Sequence, residues 1–311
     1  MSAQNIELSS QTPSIQALLE QIIAIWPEHQ KFINTSFSER SENINDTSEL
    51  IADFIRNIAG HEIPKVCSDY RWTCERLLEE ELYFRRHGDY RLNSISEAVE
   101  QVYSNDEFMS KYLNGLLAAQ LLWLNHSKSI DFYRRVYLPM LPEDASHVEI
   151  GPGHGLLLYL ASLSSNVTKL TGWDISQTSL DHTKQALTQA GVKTEVTLEL
   201  QDATDIKTDN SYDSIVMSEL LEHLENPEKA LRSIRECLSE DGMIYVNVPV
   251  NSPAPDHIYL LRTPEQACEL IENSGYEIID YKFYPTGQYS LEKARKNALT
   301  ISCVIIAKPM H

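Results

Sequence analysis

After Pro142 the hydrophobic period of the chain switches repeatedly, and nothing else in the sequence constrains the fold as tightly. Short runs rich in β-branched and aromatic residues stand at 147–151 (HVEIG), 169–174 (KLTGWD), 195–201 (EVTLELQ), 212–218 (YDSIVMS), 243–249 (MIYVNVP), 277–283 (EIIDYKF) and 299–308 (LTISCVIIAK). Between them lie stretches with helical spacing near 156–162, 176–190, 227–238 and 263–274. A strand pattern alternating with helices of about 10 to 15 residues predicts a doubly wound α/β fold, a mostly parallel sheet covered on both faces. Ligands of such sheets bind at the carboxyl ends of the strands.

The chain before this point reads differently. From Pro13 to about Pro139 the apolar residues recur at three and four, as in Ile15, Leu18, Leu19, Ile22, Ile23 and Trp26, then Leu50, Ile51, Phe54, Ile55 and Ile58. That spacing predicts helices, broken at Pro27, around Asn43 to Asp46, at Pro64 and at Gly88. We therefore expect an all-α domain over 1–140 and an α/β domain over 141–311, a division that suits a chain of 311 residues. The helical part would serve as a substrate-recognition domain or lid, or pair subunits into a homodimer.

A net charge of −19 repels phosphate backbones and anionic lipid, which argues against nucleic acid as partner. Five scattered cysteines with no C-x-x-C pair argue against a disulfide framework and a zinc knuckle. Residues 1–10 show no basic-then-apolar secretory pattern, and the uncharged run 112–127 is too short to span a bilayer. The expectation is a cytoplasmic protein, outside the membrane, with no bound metal.

Gly151-Pro152-Gly153-His154-Gly155 follows one predicted strand and opens a helix, a context in which the backbone can turn tightly and admit a ligand. Asp174, at the end of the next strand, is placed to accept hydrogen bonds from ribose hydroxyls, or else to cap the helix that follows through Ser176. A nicotinamide dehydrogenase would need a third glycine where Leu156 stands. Farther on come Gln201-Asp202-Ala203 after the third strand and Ser218-Glu219-Leu220-Leu221-Glu222-His223-Leu224 after the fourth.

With these four motifs in order, residues 147 to about 308 resemble the class I S-adenosylmethionine-dependent methyltransferases, whose seven-stranded sheet has its last strand antiparallel. The resemblance implies S-adenosyl-L-methionine as cofactor and S-adenosyl-L-homocysteine as product. It also implies that Gly151, Gly153 and Gly155 line the cofactor, with His154 shaping the turn and Glu149 bracing the turn and the methionyl ammonium. Asp174 would bind the ribose, Ile175 would pack on the adenine, Asp202 and Ala203 would read its edge, and Ser218 and Glu219 would meet the methionyl amine. A solvated helix start is the competing expectation for Glu219 and Glu222.

Methyl transfer from a sulfonium depends largely on alignment, and a hydroxyl or protonated amine acceptor also needs a base. His126, His223 and His257 are the candidate catalytic residues, each with a capping or surface role as the alternative, and Tyr112 and Trp123 are candidate substrate contacts. The proline-rich stretch 247–255 is long enough for a lid. The arginines at 71, 76, 85, 86 and 91 either receive an anionic group or interlace with neighbouring glutamates. The leading expectation is a methyltransferase acting on oxygen, nitrogen or sulfur of a small molecule or peptide in a biosynthetic pathway, such as a natural-product or modified-peptide route. The alternatives are a regulatory protein that binds the nucleoside without turnover and, less favoured, the dehydrogenase.

Overall fold

The computed structural model describes residues 12–310, so the segment read for a secretory signal lies outside the described residues. Before the first strand the chain folds as α1 (Pro13–Ile25), α2 (Gln30–Ser38), α3 (Glu42–Ala59), α4 (Ile63–His87), α5 (Ile95–Ala98), α6 (Asp106–Leu122), α7 (Leu124–Phe132) and α8 (Leu138–Met140). Then follow β1 (Ala145–Ile150), α9 (Leu156–Ser162), β2 (Val167–Asp174), α10 (Gln177–Gln189), β3 (Val196–Leu200) and β4 (Tyr212–Ser218). The chain continues through α11 (Pro227–Arg235), β5 (Leu238–Val250), α12 (Pro264–Asn273), β6 (Tyr276–Pro285), α13 (Leu291–Lys296) and β7 (Ile301–Pro309).

The strands form one sheet in the order β3-β2-β1-β4-β5-β7-β6, parallel except that β7 runs antiparallel to both β5 and β6. The expected fold class and its reversed last strand are therefore present. Consecutive strands diverge on either side of the β1–β4 pair, so the crevice at their carboxyl ends is the topological switch point. It receives the turn after β1 and the loop after β4.

Side chains alternate across the strands and feed two cores. Ile215 and Met217 of β4 and Ile244 and Val246 of β5 join α11 and α12, including Ala230, Leu231, Ile234, Ala267 and Ile271. Val216 and Tyr245 point the other way, into a cluster shared with α9, α10 and the amino-terminal helices. That second cluster runs without interruption from Ile15 and Phe54 through Tyr133 and Tyr137 to Val304 and Ile306. Buried polar contacts stitch the same seam. The Tyr137 hydroxyl lies 2.6 Å from Ser214 Oγ and donates to the Met243 carbonyl, Tyr245 donates to the Ser129 carbonyl, and Asn125 Nδ2 donates to Ser302 Oγ. The helices before β1 thus form a layer on one face of the sheet.

The break expected around Asn43 to Asp46 falls a few residues earlier, at 39–41 between α2 and α3. Ser41 caps α3 by accepting from the Ile44 N–H, and burial of Thr47, Ile51, Phe54 and Ile55 holds the following turns despite weak local propensity. Pro64 likewise opens a helix, where its missing N–H costs nothing.

Candidate active site

The turn after β1 is built to stay open. Gly151, Gly153 and Gly155 all have positive φ (66°, 51° and 75°). A Cβ added at Gly153 would meet nothing within 4 Å, whereas one at Gly155 would come within 3.1–3.2 Å of Leu187 and Thr183 on α10. One glycine is therefore needed for an exposed left-handed turn and the other for close helix packing. Beneath the turn, buried Glu149 accepts from the Leu158 N–H at 3.0 Å and so ties β1 to the first turn of α9. Burial raises its carboxyl well above the ordinary range. His154 is enclosed, and burial lowers its pKa to about 4; its Nε2 has no hydrogen-bond partner among the described residues.

At the end of β2, Asp174 accepts from the Ser176 N–H at 2.8 Å and from the Ser179 hydroxyl at 2.6 Å, while Ser176 caps α10 by accepting from the Ser179 N–H. Bracing the helix and presenting a carboxylate are therefore compatible, because each oxygen retains a lone pair. Beside it Ile175 is 72% exposed, an apolar side chain left in the open next to the strand end. After β3, Asp202 is exposed and accepts from the Thr204 N–H and hydroxyl, and Ala203 is buried.

The loop after β4 approaches the glycine turn directly, since a Cβ at Gly151 would lie 3.1 Å from Leu220 Cδ1. Glu219 adopts φ 51°, uncommon for a residue with a Cβ. Its N–H donates to the Asn247 carbonyl at 2.8 Å, and its Oε1 accepts from Asn247 Nδ2 at 2.8 Å. Asn247 Nδ2 also donates to Ser218 Oγ at 3.2 Å. Burial pushes the Glu219 carboxyl up to about 7. Three residues on, Glu222 is 0% exposed and neither carboxylate oxygen has a hydrogen-bond partner among the described residues. Desolvation first and then the neighbouring Glu219 charge raise its pKa well above normal. The solvated helix start expected for Glu222 is thus contradicted.

The loop after β5 brings in the remaining groups. Ile258 and Tyr259 both donate their N–H to the Glu222 carbonyl at 2.9 Å, which fixes His257 against Glu222. His257 Nδ1 donates to the Ser252 carbonyl at 2.6 Å and His223 Nδ1 to the Asp256 carbonyl at 3.1 Å. A carbonyl can only accept, so both rings carry their proton on Nδ1 and keep Nε2 unprotonated when neutral. These Nε2 atoms lie 3.9 Å (His257) and 4.0 Å (His223) from Glu222 Oε1. The two rings meet at 88° with centroids 4.8 Å apart. Burial lowers the His257 pKa to about 4. From the helical layer, Tyr112 donates to Asp256 Oδ1 at 2.9 Å, and the Tyr103 hydroxyl donates to Asp256 Oδ2 at 3.4 Å while lying 3.3 Å from His223 Nδ1.

His223, His257 and Tyr112 therefore come together, with Glu222, Asp256 and Tyr103 as members that sequence reasoning did not nominate. Glu222, His223 and His257 also place one potential ligand atom each within 4.8 Å of one another, a cluster that the sequence alone did not show. His126 stands elsewhere: its Nδ1 is 3.3 Å from Gln120 Oε1, its ring packs edge-on to Trp123, and burial lowers its pKa to about 4. Trp123 donates to Tyr70 and, with His29, Phe32 and Leu124, lines a cavity of about 460 Å³ between the helical layer and the loop after β6. The stretch expected as a lid is a strand end followed by a buried loop, with Asn251, Ala254, Asp256 and His257 all packed. The arginine group proves interlaced, through Arg71–Glu75, Arg76–Glu79, Arg85–Glu81 and Arg91–Glu80.

Residues 148–244 match the family described as a methyltransferase domain. Over these residues the sheet-bearing part of the chain is similar to a methyltransferase domain, and its strand order is the one expected of the class I fold. Among curated proteins, the chain is 29% identical over 196 residues to (S)-coclaurine N-methyltransferase of Thalictrum flavum subsp. glaucum, covering 57% of this chain and 52% of that one. It is 29% identical over 101 residues to (S)-tetrahydroprotoberberine N-methyltransferase of Eschscholzia californica, covering 32% and 28%. The chain thus spans about half, or less, of the length of these relatives. Among solved structures, the 4+2 cyclase SpnF aligns with a TM-score of 0.49 at 18% identity, covering 60% of this chain and 83% of that one.

The residues present fit S-adenosylmethionine, the cofactor that the sequence resemblance implies. Its cationic ammonium and sulfonium suit a site holding Glu149, Glu219 and Asp174. The open space at Gly153, the exposed Ile175, and Asn247 Oδ1 and His154 Nε2, which have no hydrogen-bond partner among the described residues, are features that a polar nucleoside would complete.

Proposed function

We propose that this protein transfers the methyl group of S-adenosylmethionine to a heteroatom of a small molecule, with the acceptor held at the Glu222–His223–His257 cluster. The observation that carries this reading is the junction of two loops at the switch point. Leu220 sits against Gly151 on the cofactor side, and two residues later Glu222 faces both imidazoles. Bound S-adenosylmethionine supplies an electrophilic methyl group on a sulfonium that departs as a neutral thioether.

The chain's own residues do the rest. Gly151, Gly153 and Gly155 with Asp174 hold the nucleoside end, and Ile175 shields one face from water. Glu219, Ser218 and Asn247 form a connected polar wall beside the methionyl end. The unprotonated Nε2 atoms of His223 and His257 face the acceptor's polar atom and can accept its hydrogen, beside Glu222, whose carboxyl burial holds well above its ordinary pKa. Asp256 fixes His223 while Tyr112 and Tyr103 fix Asp256, so helix α6 and the segment before it complete the site. Because this loop is buried rather than open, a compact acceptor suits it better than an extended peptide. The curated relatives are named as N-methyltransferases of (S)-coclaurine and (S)-tetrahydroprotoberberine, which supports transfer to a heteroatom of a small molecule.

The test is methyl transfer from labelled S-adenosylmethionine to a panel of secondary amines, phenols, thiols and short peptides, read as S-adenosylhomocysteine formed. The reading expects acceptor-dependent product with at least one small amine or hydroxyl compound. Tight S-adenosylhomocysteine binding without turnover on any acceptor class would instead support the regulatory alternative.

A further inference from the structure

We propose that Glu222, His223 and His257 bind a divalent transition-metal ion, which holds the acceptor's oxygen or nitrogen beside the cofactor pocket. Three independent features converge on this. Glu222 is fully buried, yet both of its oxygens lack a hydrogen-bond partner among the described residues. A buried unpartnered carboxylate is costly and persists where something else completes it. Second, both histidines donate Nδ1–H to a backbone carbonyl, Ser252 for His257 and Asp256 for His223. This is the second-shell arrangement that orients a metal-bound imidazole and leaves Nε2 as the ligand.

Third, the spacing is wrong for direct pairing and right for an inserted ion. Nε2–Oε1 separations of 3.9 and 4.0 Å exceed a hydrogen bond. Ligand atoms about 2.1 Å from a common ion stand roughly 3 to 3.5 Å apart. An inward movement of less than about 1 Å therefore closes the shell, and perpendicular rings leave room between them.

Two imidazole nitrogens and one carboxylate oxygen favour a borderline cation such as Mn²⁺, Fe²⁺, Co²⁺ or Zn²⁺ over Ca²⁺ or Mg²⁺, which prefer oxygen shells. Three protein ligands also leave coordination positions open for an acceptor atom, whose proton the ion makes more acidic. The role assigned to the ion rests on the methyltransferase reading. The binding does not.

The experiment uses the full chain, stripped with chelator, titrated with Co²⁺ in the absence of cofactor and followed by its visible absorption. The proposal expects one Co²⁺ per chain with an intensified band, displaced by Zn²⁺ but not by Ca²⁺. Glu222→Gln and His257→Gln should weaken binding by about 10-fold or more. His61→Ala, on the exposed surface, should leave it unchanged. Circular dichroism of each variant separates loss of ligand from loss of fold. A Co²⁺ spectrum identical to the free aquo ion, or equal affinity in Glu222→Gln and the parent, would overturn the proposal. Methyl transfer that persists in chelator with no Co²⁺ bound would sink the metal and keep the methyltransferase. Stoichiometric Co²⁺ binding without transfer to any acceptor would do the reverse.

Discussion

At the level of single residues, the site is marked by groups that sacrifice stability. Glu222 sits in the interior without a hydrogen-bond partner among the described residues, so Glu222→Gln should raise the stability of the metal-free protein by about 1 to 3 kcal/mol while abolishing turnover. Urea unfolding alongside the transfer assay checks both halves, and a destabilised variant would show that Glu222 is paired after all. Tyr112 has the opposite character. Tyr112→Phe removes the donor to Asp256 and should cost about 1 to 2 kcal/mol, with a further loss of activity as His223 loses its fixed neighbour. The geometry of the glycine turn was legible in the sequence because a contiguous motif carries it, and the place of Asp174 because it ends the next apolar strand. Glu222 was not, since whether a carboxylate after a strand points to solvent or inward is decided by the loop after β5 that closes over it. For the same reason His126 and His257 looked alike in sequence, yet only the backbone bonds of Ile258 and Tyr259 bring one of them to Glu222.

Among the elements, the strands were the most legible, because a fully buried parallel strand needs an apolar run and β4 and β5 have one. What local pattern missed was set by tertiary packing. Helix α3 continues through Asn43 to Asp46 because its later turns are buried, and short α13 docks through Ala294 in a region with no clear helical period. The packing of the helical layer on β1 also has a pH signature. His147 on β1 lies between the Tyr133 hydroxyl at 3.0 Å and Ser214 Oγ at 2.7 Å, and burial lowers its pKa to about 3. The folded state therefore resists a proton that the unfolded chain accepts near pH 6.5. Its contribution to stability is full above that value and declines by about 1.4 kcal/mol per pH unit as pH falls toward 3. Comparing the parent with His147→Gln between pH 7 and pH 5 isolates this group. A variant whose stability falls as steeply as the parent's would contradict the assignment.

On the scale of the whole molecule, the expected boundary near residue 140 describes a change of secondary structure, while the core ignores it. Ile15, Phe54, Tyr133, Val216, Tyr245 and Ile306 belong to one apolar cluster. Removing residues 1–140 would expose the part of that face not covered by α9 and α10, so the fragment from 141 onward should fail to unfold cooperatively and should bind an apolar dye. A soluble fragment with a sharp thermal transition would show that the helical layer is an appendage. The same layer supplies Tyr103 and Tyr112 to the proposed site through their hydrogen bonds to Asp256, which would give it a functional reason to be continuous with the sheet.

The central claim, that the crevice between the turn after β1 and the loop after β4 is an S-adenosylmethionine site, is tested most directly by calorimetric titration. S-adenosylhomocysteine is titrated into the parent and into Asp174→Ala, after any copurified nucleoside has been removed. Loss of charge-assisted hydrogen bonds to the ribose should weaken binding by roughly 1.5 to 3 kcal/mol, about 10-fold or more. Saturable binding to the parent that weakens to this extent in the variant is the predicted result. No heat of binding in the parent, or equal affinity in both proteins, would contradict it.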